Sequence, residues 1–261
     1  MLDDNLKAEL GSRIHKFDHI AISLMPQNVQ KSIFVLYSFF AELDGLAAQV
    51  SEPMLGEIRC QWWRDVISQQ QAQSPLAEAL LTAINAHNWP QQALLDIIEA
   101  KIFDLYANPM ASTADFEGYA GHTYATLIQL TALAINPQAA KDFADVSGHL
   151  GVAFAVAKSV LHLKIHKSRG QVFMPQDIAT TQDKATEQDF VNYGLNHYNL
   201  AKKHLHKSPV FSAVLPAIRA KLMLTSAQKL AGDLYPKLES IAPKQLKFQW
   251  QLLTANITKN I

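Results

Sequence analysis

Apolar residues along this chain recur at spacings of three and four, and strict alternation is nearly absent. That pattern predicts helices almost throughout. Between Asn28 and Ala48 the positions Ile33, Leu36, Tyr37, Phe40 and Leu43 fall on one helical stripe, with Pro26 just ahead as a start signal. This segment is expected to be a core helix. The next helix begins near Ser51 and Pro53. On it Ile58, Trp62 and Val66 form one row, and Arg59, Trp63 and Ile67 form the row beside it. Its adjacent tryptophans predict burial. Further helices are predicted over Pro75 to His87, Gln91 to Tyr106, Thr113 to Ala134, Pro137 to Lys167, Thr186 to His206, Pro209 to Leu234 and Pro243 to Ile257. No repeat, linker or hairpin signal interrupts them. The expected fold is a single all-α domain, residues 1–261, built as a helical bundle whose ligand site would lie between facing helices.

Composition narrows the function classes. Lys plus Arg and Asp plus Glu both number 23, so there is no global basic field to gather phosphate, and nucleic acid is not expected as a partner. The single cysteine, Cys60, excludes an internal disulfide and a Cys-based zinc site, which fits a reducing compartment. The opening MLDDNLKAELGSR is acidic and has no apolar run, so no export signal or Arg-rich transit peptide is expected there and the expected location is cytoplasmic. The most apolar stretch, Tyr124 to Ile135, carries Gln129 and two threonines and is too short to span a bilayer. A peripheral contact with an inner membrane stays open. Gly-rich nucleotide turns, a G-x-S-x-G elbow and an H-E-x-x-H motif are all absent.

Three stretches together resemble the squalene/phytoene synthase family. Lys16 to Gln49, KFDHIAISLMPQNVQKSIFVLYSFFAELDGLAAQ, resembles that family's opening pair of helices, where YAFCRxxDDxxD follows SKSF and LLP. Ser51 to Ile67, SEPMLGEIRCQWWRDVI, is similar to its next helix. Leu150 to Ile178 is similar to G-x-A-x-Q-x-x-N-x-x-R-D-x-x-x-D-x-x-x-G-R-x-Y-L-P, with Gly151, Gly170 and Pro175 in register. The resemblance implies an isoprenoid-synthase-type bundle with a central cavity. In active members it also implies two aspartate clusters that hold magnesium against a prenyl diphosphate.

The departures from that pattern fall on the chemistry. Asp44 is retained, but Gly45 and Ala48 stand at the other two aspartate positions of the first cluster, and Ala41 replaces an arginine. In the second, His162 and His166 occupy both aspartate positions, Lys158 the asparagine, Leu161 the arginine and Ala155 the glutamine; Phe17 replaces a serine in the first helix. Without those carboxylates the charge of a departing diphosphate is left unstabilised, so magnesium-dependent prenyl condensation is not expected. No cofactor is then expected, magnesium being required only if the chain were an active prenyltransferase. The SEPMLGEIR-x-QWWR wording from Ser51 to Arg64 is similar to that of an eroded branch of the family that includes a mitochondrial assembly factor of respiratory complex I and its bacterial relatives. That likeness implies a non-catalytic protein with a protein partner in a membrane respiratory complex, in the mitochondrial matrix if the chain is eukaryotic and processed. A lipid or isoprenoid binder using the emptied pocket is the other alternative.

Lys158, His162 and His166 lie four residues apart, so on one helix they drift only about 80° and share a face. Two arrangements fit: an inverted pocket in which they hold an anionic headgroup, or His162 and His166 a borderline metal, and a solvated basic helix end closed at Gly170. Asp44 is expected to pair with a cation such as Arg59 or Lys158, because an unpaired buried carboxylate is costly. Tyr37, Phe40, Arg59, Trp62 and Trp63 are candidates for a pocket wall, although at helical spacing core packing is the default for the aromatics and Arg59 and Arg64 have Glu57 and Asp65 nearby. His204 and His206 read as a solvated basic end.

Overall fold

Prolines and small polar residues set where the helices begin. The computed structural model describes residues 14–106, 108–178, 185–205, 208–230 and 234–261. The opening MLDDNLKAELGSR and His206 lie outside the described residues. Helix α1 (Lys16–Ser23) leads into α2 (Gln27–Asp44), which starts directly after Pro26. A four-residue α3 (Leu46–Gln49) follows. Then α4 (Pro53–Gln69) and α5 (Pro75–His87) each carry proline at a first-turn position, where its missing N–H is no loss. Ser74 accepts the Ala77 N–H at 3.2 Å to cap α5. Helix α6 (Gln91–Ile102) runs on through a short 3-10 turn, Phe103–Leu105. The chain continues through α7 (Thr113–Ala120), a π turn (Gly121–Ala125) and α8 (Thr126–Ile135), then α9 (Ala144–Leu161), α10 (Leu163–Ser168), α11 (Ala185–His204), α12 (Ile218–Gln228) and α13 (Gln245–Thr258). No strand occurs among the described residues, and the architecture is a single all-α domain.

The centre of the bundle is α9. Every residue from Leu150 to Ala157 is buried, which a helix apolar on all sides requires, and α11, α12 and the π turn enclose it. Close approach depends on missing side chains: a Cβ on Gly151 would stand 2.6 Å from the Ala125 backbone nitrogen.

Four predicted helices prove to be interrupted. The stripe over 28–48 turns at Gly45, the poorest helix former in it, and the 113–134 segment contains the π turn. The 137–167 segment opens as a 3-10 turn and breaks at His162, which separates α9 from α10. The 209–234 segment starts as 3-10 structure, Phe211–Ala217, because Pro216 removes an N–H that an α-helix would use. On α4 the burial is also narrower than expected. Trp63 is fully buried and Trp62 half-buried, but Ile58 is 61% exposed.

Candidate functional site

A cavity of about 560 Å³ opens between α1, α2, α9 and α10, with Tyr37, Phe40, Phe154 and Leu127 among its apolar walls and Asp44, Lys158, His162 and His166 at its polar end. The break at His162 puts Lys158 and His166 on different helices, yet both still face this space. All four relict positions therefore converge.

Asp44 closes α2, and its carboxylate is already engaged. Lys101 Nζ, from α6, lies 2.7 Å from Oδ1, and Tyr124 of the π turn donates to the same oxygen at 2.9 Å. Lys158 Nζ lies 3.0 Å from Oδ2. Burial by itself would raise the Asp44 carboxyl, but the charges of Lys101 and Lys158 outweigh it and hold the group well below the usual carboxylate range. The Lys101 ammonium is only 1% exposed and spends its other protons on Asp104 Oδ2 at 2.9 Å and Tyr119 Oη at 2.8 Å. Tyr119 in turn donates to Asp104 at 3.1 Å. Rings of Phe40, Tyr119 and Tyr124 stand 5.1 to 5.3 Å from the same nitrogen. Burial opposes this charge, yet Asp104 and Asp44 raise the Lys101 pKa well above its ordinary value.

The histidines are neutral near pH 7. Burial first, and then the Lys158 charge, lowers His162 to about 4; burial, His162 and Arg169 lower His166 to about 4. Their rings lie 5.9 Å apart. Across the cavity, Arg219 of α12 pairs with Asp18 of α1 at 3.2 Å, both nearly buried, and stacks its guanidinium 5.0 Å from the Phe154 ring.

This donor set does not suit magnesium, which needs several oxygen ligands. Asp44 has given its oxygens to two ammonium groups and a phenol, and the facing positions offer imidazole nitrogen. No group of three or more His, Cys, Asp or Glu among the described residues is arranged to hold a metal ion.

Of the pocket-wall candidates, Tyr37 and Phe40 line the cavity, whereas Arg59, Trp62 and Trp63 do not. Arg59 and Trp63 are drawn instead to Glu42, two residues before the end of α2, and Trp62 donates its Nε1–H to Gln73 at 2.6 Å. Arg59 Nε and Trp63 Nε1 both donate to Glu42 Oε1, at 2.6 and 3.1 Å, and the Arg59 guanidinium stacks on Trp62 at 4.2 Å. Arg59 is thus not the partner of Asp44, and Arg64 pairs with Glu99. Sequence reasoning missed Lys101, Asp104, Tyr119, Tyr124, Asp18 and Arg219. Lys101 sits 57 residues from Asp44, and its surroundings in the chain, EAKIFDLY, mark it only as one polar residue on a helix.

An all-α bundle with a central cavity that gathers the aligned positions Asp44, Lys158, His162 and His166 defines an isoprenoid-synthase-type fold. The chain belongs to the squalene/phytoene synthase family, matching it over residues 17–253. Among curated proteins it is similar to "NADH dehydrogenase (ubiquinone) complex I, assembly factor 6" of Rattus norvegicus, with 28% identity over 241 residues, 83% of this chain and 71% of that one. The protein of the same name from Homo sapiens is 27% identical over the same shares. Two solved structures share the fold at 14% identity. One is the squalene synthase HpnC from Alicyclobacillus acidocaldarius, with a TM-score of 0.70 over 86% of this chain and 92% of that one. The other is a dehydrosqualene synthase in complex with a ligand, with a TM-score of 0.77 over 94% and 91%.

Proposed function

We propose that this protein is a non-catalytic member of its family that assists assembly of respiratory complex I. One observation supports the non-catalytic half: both oxygens of the retained carboxylate, Asp44, are already held, Oδ1 by Lys101 and Tyr124 and Oδ2 by Lys158, so a magnesium ion would have to compete with two ammonium groups. The assembly role is supported by the likeness to assembly factor 6 across most of the chain. On this reading the protein needs no metal cofactor, and its partner is a subunit or intermediate of complex I at the inner membrane, on the matrix side in a eukaryote. No helix among the described residues is long and apolar enough to cross a membrane, so such an association would be peripheral.

Two experiments divide the readings. Incubating the purified chain with farnesyl or geranylgeranyl diphosphate and magnesium is expected to yield neither hydrocarbon product nor released diphosphate; either product would overturn the non-catalytic reading. Deleting the gene is expected to lower complex I abundance on native gels, and unchanged abundance and activity would remove the assembly role. A second reading, storage or presentation of a lipid or isoprenoid, is favoured by the cavity itself, whose apolar walls lead to a polar end. Native mass spectrometry of gently purified protein tests it, and a ligand-free spectrum counts against it.

A further inference from the structure

The last helix carries a second apolar face, which the described residues leave uncovered. Phe248, Leu252 and Ala255 of α13 are buried where the helix meets α1, α12 and the 3-10 turn Phe211–Ala217. Leu246, Trp250, Leu253 and Ile257 are 82%, 73%, 48% and 80% exposed. At 3.6 residues per turn those four fall within an arc of about 60°, and the buried three lie on the opposite side. Docking to the bundle needs only the first face. The second is a contiguous stripe about 16 Å long that is unfavourable in water unless something covers it.

Charge identifies the cover. Lys244, Lys247 and Lys259 are exposed along this helix, and residues 243–261 contain no Asp or Glu. The same sign continues next door. Ala242 and Pro243, which lead into α13, line the cavity together with exposed Ile165 and Arg169 at the end of α10. Residues 163–169 add Lys164 and Lys167, again with no acid, and both lysines sit over the Tyr235 ring, at 5.7 and 5.2 Å. Among the described residues the acids in this neighbourhood are Glu239, exposed in the 3-10 turn Tyr235–Ile241, and half-buried Glu187, which faces Lys167 across a small pocket. A second copy of this chain would set one basic face against another, which like-charge repulsion disfavours.

We propose that α13 docks the protein on an anionic bilayer. The Leu246, Trp250, Leu253 and Ile257 stripe lies in the boundary between headgroups and acyl chains, where an indole ring is favoured, and Lys244, Lys247 and the α10 cations meet lipid phosphates. The arrangement turns the cavity mouth toward the membrane surface, since the residues entering α13 are part of its rim.

Flotation of the full chain with phosphatidylcholine vesicles, plain or containing roughly one third phosphatidylglycerol, tests this. The protein is expected to float with the anionic vesicles at low salt, and Leu246→Ser with Trp250→Ser is expected to lower partitioning about tenfold or more. Lys244→Gln with Lys247→Gln is expected to remove most of the preference for anionic lipid. All four side chains are exposed, so the variants should keep the wild-type thermal midpoint. A wild-type chain that stays unbound at low salt overturns the proposal, as does a serine variant that floats equally well. A dimer in size-exclusion chromatography that the serine substitutions dissociate also overturns it, by assigning the stripe to a second copy.

Discussion

Lys101 does at the residue scale what a metal ion would do in a carboxylate cluster. Its ammonium gathers Asp44, Asp104 and Tyr119 within 2.9 Å, while burial excludes water from the group. Removing it leaves Asp104 buried without its cation and Asp44 with Lys158 alone. Lys101→Ala is therefore expected to destabilise the fold by about 3 kcal/mol or more, read from urea unfolding, because a broken buried pair costs more than the pair contributes. The histidines make the same region sensitive to acid. In the unfolded chain a histidine takes up its proton near pH 6.5, but His162 and His166 in the fold resist until about 4. The unfolded state thus binds more protons across that window, so stability is complete above about 6.5 and falls as the pH drops toward 4. Asp44 adds a loss lower down. Its carboxyl protonates near 3.9 when unfolded but only well below that when held by the lysines, so its contribution fades under about pH 4. Urea midpoints measured from neutral pH downward should show the upper loss, and His162→Asn with His166→Asn should reduce it, leaving the share of His15, which burial also lowers to about 4.

At the scale of elements, spacing revealed the helices and hid their interruptions. The 75–87 helix was readable to the residue because Ser74, Pro75 and Asn88 mark its ends chemically. The break at His162 and the π turn carry no comparable signal, being set by how α9 meets its neighbours. The site was legible only where a motif pointed to it. Asp44, Lys158, His162 and His166 could be aligned in the sequence, while Lys101 and Tyr124 reach Asp44 from elements 57 and 80 residues away and no local pattern announces them. Arg59, Trp62 and Trp63 misled for a related reason: a helical face can serve a cavity or a core, and the choice rests with partners elsewhere, Glu42 for Arg59 and Trp63 and Gln73 for Trp62. The tightest crossing gives a test. Gly151→Ala would press a methyl against the Ala125 backbone, which cannot swing aside as a side chain can, so a loss of about 1–3 kcal/mol is expected in thermal or urea unfolding.

For the whole molecule, the fold is kept while the residues inside its cavity differ from the metal-binding pattern that the family resemblance implies. The bundle of squalene-type synthases is retained at TM-scores of 0.70 and 0.77, while the charges inside its cavity now satisfy one another. Restoring aspartates alone should therefore not restore metal binding. Gly45→Asp, Ala48→Asp, His162→Asp and His166→Asp together are expected to bind manganese weakly, by calorimetry or electron paramagnetic resonance, as long as Lys101 competes for Asp44. Adding Lys101→Gln should strengthen it, and equal affinity in the two variants would show that Lys101 is no competitor. The internal ammonium has one more consequence, for where such a protein can work. Its counter-ion is part of the chain, made at translation and never exchanged, so chelators and swings in divalent-ion supply have nothing to withdraw. Thermal unfolding in EDTA and in millimolar magnesium should coincide, and a protein built this way stays folded through ionic conditions that would strip a metal-dependent relative.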